Sequence, residues 1–149
     1  MQSRGYYVQT YQLPLIVNER RAHSTVLEKI LGLVDVRGDQ EVLMLYTSFN
    51  PALGAAIFSQ YGPQAQAIAI GSTTRGATEN GKFSALSWDE FSRDLIVAHH
   101  FSRTLGVYSL KGCIFRGYIP LLKTMDWNRP VQIPAASIRR AARVQKVID

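Results

Sequence analysis

One cysteine, Cys113, and three histidines are the scarcest chemistry in these 149 residues. A single cysteine excludes an internal disulfide and a cysteine-rich zinc site, and it suits a reducing compartment. His99 and His100 are neighbours, so on a helix they diverge by about 100° and do not converge on one ion. His23 stands far from them in the chain, and no metal site is expected. Long apolar runs are also missing. The start, MQSRGYYVQTYQLPL, has no signal-peptide core, and no segment approaches the length of a bilayer span. A soluble, cytoplasmic protein without a membrane segment is the expectation. Neither the G-x-S-x-G nucleophile pattern, nor a complete phosphate-loop motif, nor the dinucleotide glycine pattern occurs. No cofactor is implied.

What is present describes a folded globular chain: 46% hydrophobic and 19% charged residues, with no stretch polar or repetitive enough to stay disordered. Seventeen Lys and Arg against eleven Asp and Glu give a net charge of +6 and a pI near 9.7. Much of the excess lies in IRRAARVQKVI, with Arg139, Arg140, Arg143 and Lys146. A basic helix of this kind is more often a solvated face than a reader of nucleic acid. The expected organisation is a domain over 1–132 followed by a basic C-terminal helix over 133–149.

Four short runs have the length and the β-branched or aromatic content of strands: YYVQTYQL (6–13), EVLMLYTS (41–48), AQAIAIGS (65–72) and LGVYSLKG (105–112). Helical patterns separate them. STVLEKILGLV sets Val26, Leu27, Ile30, Leu31 and Val34 on one side. SWDEFSRDLIVAHHFSRT opens with Ser87 and Glu90 at capping-box spacing, and Trp88, Phe91, Leu95 and Ala98 form its apolar stripe. PALGAAIFSQYG links the second and third strands. Alternating strands and helices at this spacing predict an α/β fold of four parallel βα units, with binding residues at the carboxyl ends of the strands.

The series VQTYQLPLIVNERRAHSTVLEKILGLVDV, EVLMLYTSF, YGPQAQAIAIGSTTRG, LSWDEFSRDL and VYSLKGCIFRGYIPLLKTMDW resembles the C-terminal half of a (β/α)8 barrel. The resemblance is to a poorly characterised bacterial group whose barrels are similar to those of glycoside hydrolases. It covers residues 6 to 127. It implies that the four strands are barrel strands five to eight, and that the chain is half of such a (TIM) barrel. The partner would be a second copy in a homodimer or a missing N-terminal half. It also implies a carbohydrate ligand. In the resembled pattern the last strand ends in Ser-Leu-Glu-Gly, where a glutamate would suit glycoside hydrolysis. Here the residues read SLKG, and Lys111 cannot be that acid.

Weak or no hydrolysis is therefore expected of the chain alone, with a non-catalytic carbohydrate- or anion-binding module as the second reading and a basic nucleic-acid binder as the third. Glu19 in the loop NERR is the remaining acid or base, and Lys111 is a Schiff-base former or a point charge for an anion. Gln12, Arg20, Tyr46, Ser48, Ser72 and Arg75 are the expected ligand contacts at the strand ends. Ser72 and Arg75 belong to GSTTRGATENGK, whose glycines and hydroxyls suit a ligand-contacting loop. Alternation groups Val8, Thr10 and Gln12, then Met44, Tyr46 and Ser48, then Val107, Ser109 and Lys111, as inward-facing sets.

Overall fold

The four apolar runs pair in the order in which the chain presents them. The computed structural model describes residues 5–47, 54–72, 86–133 and 135–148. Strands β1 (Gln9–Gln12), β2 (Gln40–Met44), β3 (Ala67–Gly71) and β4 (Leu105–Tyr108) form one sheet in the order β1-β2-β3-β4. Every pairing is parallel, with Tyr11 opposite Val42, Met44 opposite Ala69, and Ala69 opposite Gly106. Between and after the strands run α1 (Leu15–Ala22), α2 (Val26–Leu31), α3 (Ala56–Tyr61), α4 (Trp88–His99), α5 (Leu110–Phe115), α6 (Tyr118–Lys123) and α7 (Ala135–Ile148). None of these is long and apolar enough to cross a membrane.

Sequential order has a consequence for layering. Right-handed crossovers that always step in the same direction place their helices on one side of the sheet, whereas a doubly wound sheet reverses its order to cover both sides. The core follows this rule. Leu43, Leu45, Ile68 and Ile70 point to one side and pack against Phe58 of α3 and Phe91 and Leu95 of α4, all buried. Val42, Met44, Tyr46, Ala67 and Ala69 form a separate cluster on the other side, to which no helix among the described residues contributes.

Helix α4 starts where its capping box stands: the Ser87 side chain accepts from the Glu90 amide, and the Glu90 carboxylate accepts from the Ser87 amide at 2.9 Å. Phe91, Leu95 and Ala98 are buried as their spacing requires, and Trp88 packs partly buried beside them. Helix α7 rests on α3, with Ala141 in the same core.

Three local expectations are corrected. The last strand ends at Tyr108, not at 112, because Ser109 turns the chain into α5: its hydroxyl accepts from the Gly112 amide at 3.3 Å. Lys111 consequently sits in the first turn of a helix and is exposed. The segment holding NERR is no loop, since Pro14 introduces α1 and Asn18, Glu19, Arg20 and Arg21 lie within it. The third correction concerns STVLEKILGLV, which is helical only over α2. Gly32 ends it in the left-handed conformation, at φ 65°. Val26, Ile30, Leu31 and Val34 are exposed rather than core.

Candidate functional site

The helix-free side of the sheet holds a cavity of about 530 Å3. Tyr11 of β1 and Leu13 just after it border it, with Met44 of β2 and Tyr46 just beyond, Ala69 of β3, and Gly106, Val107 and Tyr108 of β4. Register builds this surface. Small residues in β3 and β4 leave depth where a larger side chain would fill it, and aromatic rings rise on either side. Tyr46 and Tyr108 stack with ring centroids 6.4 Å apart and planes inclined by 23°. Burial pushes the Tyr46 phenol above its ordinary value, and the neighbouring Tyr108 and Tyr11 phenols add to the shift. None of the eight lining residues carries a charge. A concave, aromatic, uncharged wall with hydroxyls at its rim suits a neutral ligand that offers both C–H faces and hydroxyl groups.

Of the described residues expected to touch a ligand, Tyr46 is the one that lines this cavity. Gln12 is buried on the opposite side of β1 and donates from Nε2 to the Val36 carbonyl at 2.8 Å. Glu19 is also buried, and its Oε2 has no hydrogen-bond partner. Arg20 is held between two carboxylates: Nε donates to Asp35 at 2.9 Å and Nη1 to Glu41 at 3.0 Å. Those hydrogen bonds, from Asp35 first and then Glu41, raise the guanidinium further above its ordinary value. The group is occupied in fastening α1 to the segment before β2 and to β2 itself.

Ser72 is fully buried and stitches the ends of β3 and β4 together. Its Oγ accepts from the Ser109 amide at 2.9 Å, with the Tyr108 and Ser109 carbonyls each 3.1 Å away. Lys111 does not line the cavity. Ser48 and Arg75 lie outside the described residues. Cys113 is buried. No group of three or more His, Cys, Asp or Glu among the described residues is arranged to hold a metal ion.

One buried carboxylate escaped the sequence reading. Asp94 of α4 is 1% exposed, accepts from the Thr47 hydroxyl, and accepts from Arg93 through Nε at 3.0 Å and Nη2 at 2.7 Å. Because Thr47 follows β2 closely, this contact ties α4 to the carboxyl end of the sheet. Burial pushes the Asp94 carboxyl above its ordinary 3.8, against the pull of Arg93 and Thr47. A folded-state value above the unfolded one gives stability that is complete below 3.8 and is lost as pH rises through the folded value. Denaturant titrations of wild type and Asp94→Asn across the acid range should therefore show the wild type losing ground to the variant as pH rises. A difference that stays constant with pH would contradict the burial of this group.

Tyr11 and Tyr108, the other two aromatic walls, fall outside the expected inward sets because those sets mix the two sides of the sheet. Thr10 and Gln12 face the helices, whereas Met44 and Tyr46 face the cavity. The signal was the tyrosines themselves, since Tyr11, Tyr46 and Tyr108 all fall on one side once the strands are aligned by their register. Comparison of the chain with family models, with curated proteins and with solved structures gives no match in any of the three.

Proposed function

We propose that this chain is half of a (β/α)8 barrel of the glycoside-hydrolase-like type, and that its helix-free sheet face binds carbohydrate without efficient turnover. The observation that carries the reading is the cavity walled by Tyr11, Tyr46 and Tyr108 on a sheet whose strands run in sequential parallel order. Sequential order with helices on one side is the construction of a barrel segment, in which the other side becomes a packed interior that opens to ligand at the carboxyl ends of the strands, where Tyr46 and Tyr108 stand. Aromatic rings offer sugars a flat apolar surface for their C–H groups, and phenol hydroxyls supply hydrogen bonds at the edges. An anion is favoured less, because the lining holds no cation.

Hydrolysis needs two suitably placed carboxyl groups, and neither Glu19 nor Asp94 lines this cavity. The resembled pattern's strand-end acid is replaced by Lys111, which stands in a helix here. Isothermal titration with a panel of neutral oligosaccharides tests the reading. Tyr46→Ala should weaken binding about tenfold, the equivalent of one lost aromatic contact. Absence of binding to every sugar in the panel, or binding untouched by the substitution, would count against it.

A further inference from the structure

We propose that a second copy of this chain closes the sheet, so that two four-stranded halves make one eight-stranded barrel and share a tyrosine-walled mouth at the carboxyl ends of their strands. This inference rests on the half-barrel reading and names the partner. Each half leaves β1 and β4 unpaired on their outer sides among the described residues. In β4, the Thr104 and Tyr108 carbonyls accept from Ile68 and Ser72 of the β3 side at 3.1 and 2.7 Å, so Leu105 and Val107 turn their backbone groups outward. In β1, the Val8 carbonyl accepts from Asp39 at 2.7 Å, so Gln9 and Tyr11 turn theirs outward. A two-fold axis along the barrel preserves strand direction. It sets β4 of one copy beside β1 of the other, and its symmetry mate does the same at the opposite seam.

Charge and exposure favour this occupant. Exposed edges are usually blunted by a charged residue or proline, yet β1 reads QTYQ and β4 reads LGVY. The cavity wall is equally uncharged, so facing copies bury no like charges against each other. The layer behind each free edge is also unfinished. Ile30 and Val34, in the connection that leaves β1, are 73% and 68% exposed, and Ile114 and Phe115, in the helix after β4, are 62% and 88% exposed. In the closed barrel α5 of one copy lies next to the β1–β2 connection of the other, and these two apolar flanks cover one another.

Light scattering after size exclusion, run on the full 149 residues, tests the proposal together with amide exchange. The expected result is twice the 16.7 kDa chain mass, with slow exchange at Gln9, Tyr11, Leu105 and Val107. Phe115→Glu alters a side chain that a single copy leaves in solvent, so it should keep the circular dichroism of wild type while halving the mass. A folded monomer whose four edge amides exchange rapidly would overturn the closure by a second copy. If such a monomer still bound sugar through Tyr46, the half-barrel reading would survive and a different half would be its partner. A dimer with unprotected edge amides, or an aggregate, would also overturn the proposal; loss of sugar binding in a well-formed dimer would instead count against the functional reading.

Discussion

Phe91→Ala is expected to lower the free energy of unfolding by about 3–5 kcal/mol, the range for truncating a buried phenylalanine. Phe91 is fully buried in the first turn of α4, and its ring lies 5.5 Å from that of Tyr118, with planes inclined by only 16°. Trp88 meets it edge-on at 6.1 Å. Tyr118 is itself fixed by donating its hydroxyl to the Leu86 carbonyl at 2.7 Å. One truncation therefore opens a cavity where α4, α6 and the sheet meet. Since a domain of this size is stable by only about 5–15 kcal/mol, the variant should stand close to its unfolding threshold at ambient temperature. Urea denaturation measures the loss. A cost below about 1 kcal/mol, the ordinary effect of a single substitution, would mean that α4 does not pack on the sheet as described.

Arg20→Met ranks next, with an expected loss of about 2–3 kcal/mol, somewhat below the cost of orphaning a fully buried charge. The side chains of Arg20, Asp35 and Glu41 are 22%, 23% and 13% exposed, so water relieves part of the penalty. Methionine keeps the aliphatic packing but takes the Arg20 cation from Glu41 and leaves Asp35 with the exposed Arg37, 3.4 Å away. A pH signature accompanies the loss. Hydrogen bonding from Arg20 holds the Asp35 carboxyl below its ordinary 3.8. A depressed folded value gives stability that is present above 3.8 and disappears as pH falls through the folded value. Wild type should therefore lose stability in acid more steeply than Arg20→Met. Equal acid slopes in the two proteins would contradict the ion-pair assignment.

Local signals in the sequence proved sound where the physics is local. The capping box at Ser87 and Glu90 lies within one turn and needs nothing from the rest of the chain, so α4 begins where its residues say. The apolar run AIAIG is strand β3, which is buried along its whole length and so has no polar position. Strand faces are another matter. For strands of four or five residues, alternation alone cannot say which set points to which side, and a slip of one residue exchanges them. Here Thr10 and Gln12 face the helices while Met44 and Tyr46 face the cavity, and Tyr11 and Tyr108 share the cavity side.

Lys111 illustrates a second limit. Leu110 continues the apolar alternation of β4, but the Ser109 hydroxyl caps a helix by accepting from the Gly112 amide while the Ser109 amide donates to Ser72. For α2 the helical spacing of Val26, Ile30 and Leu31 is visible in the sequence, yet spacing does not reveal what covers the stripe. Nothing described in this chain does, and the closing partner is inferred from that exposure. Arg20 shows a third limit: its carboxylates, Asp35 and Glu41, are fifteen and twenty-one positions away, and only the fold brings them together.

The central claim is that the helix-free face of the sheet receives the ligand, and the tyrosines distribute themselves so as to test it. Tyr11, Tyr46 and Tyr108 wall the cavity, whereas Tyr61 and Tyr118 are buried among the helices on the other side. Ring resonances of selectively labelled tyrosine, followed by nuclear magnetic resonance during titration with a binding oligosaccharide, report on both groups at once. The account predicts that Tyr11, Tyr46 and Tyr108 shift while Tyr61 and Tyr118 stay in place. Shifts confined to Tyr61 and Tyr118, or no shift in any ring, would contradict it.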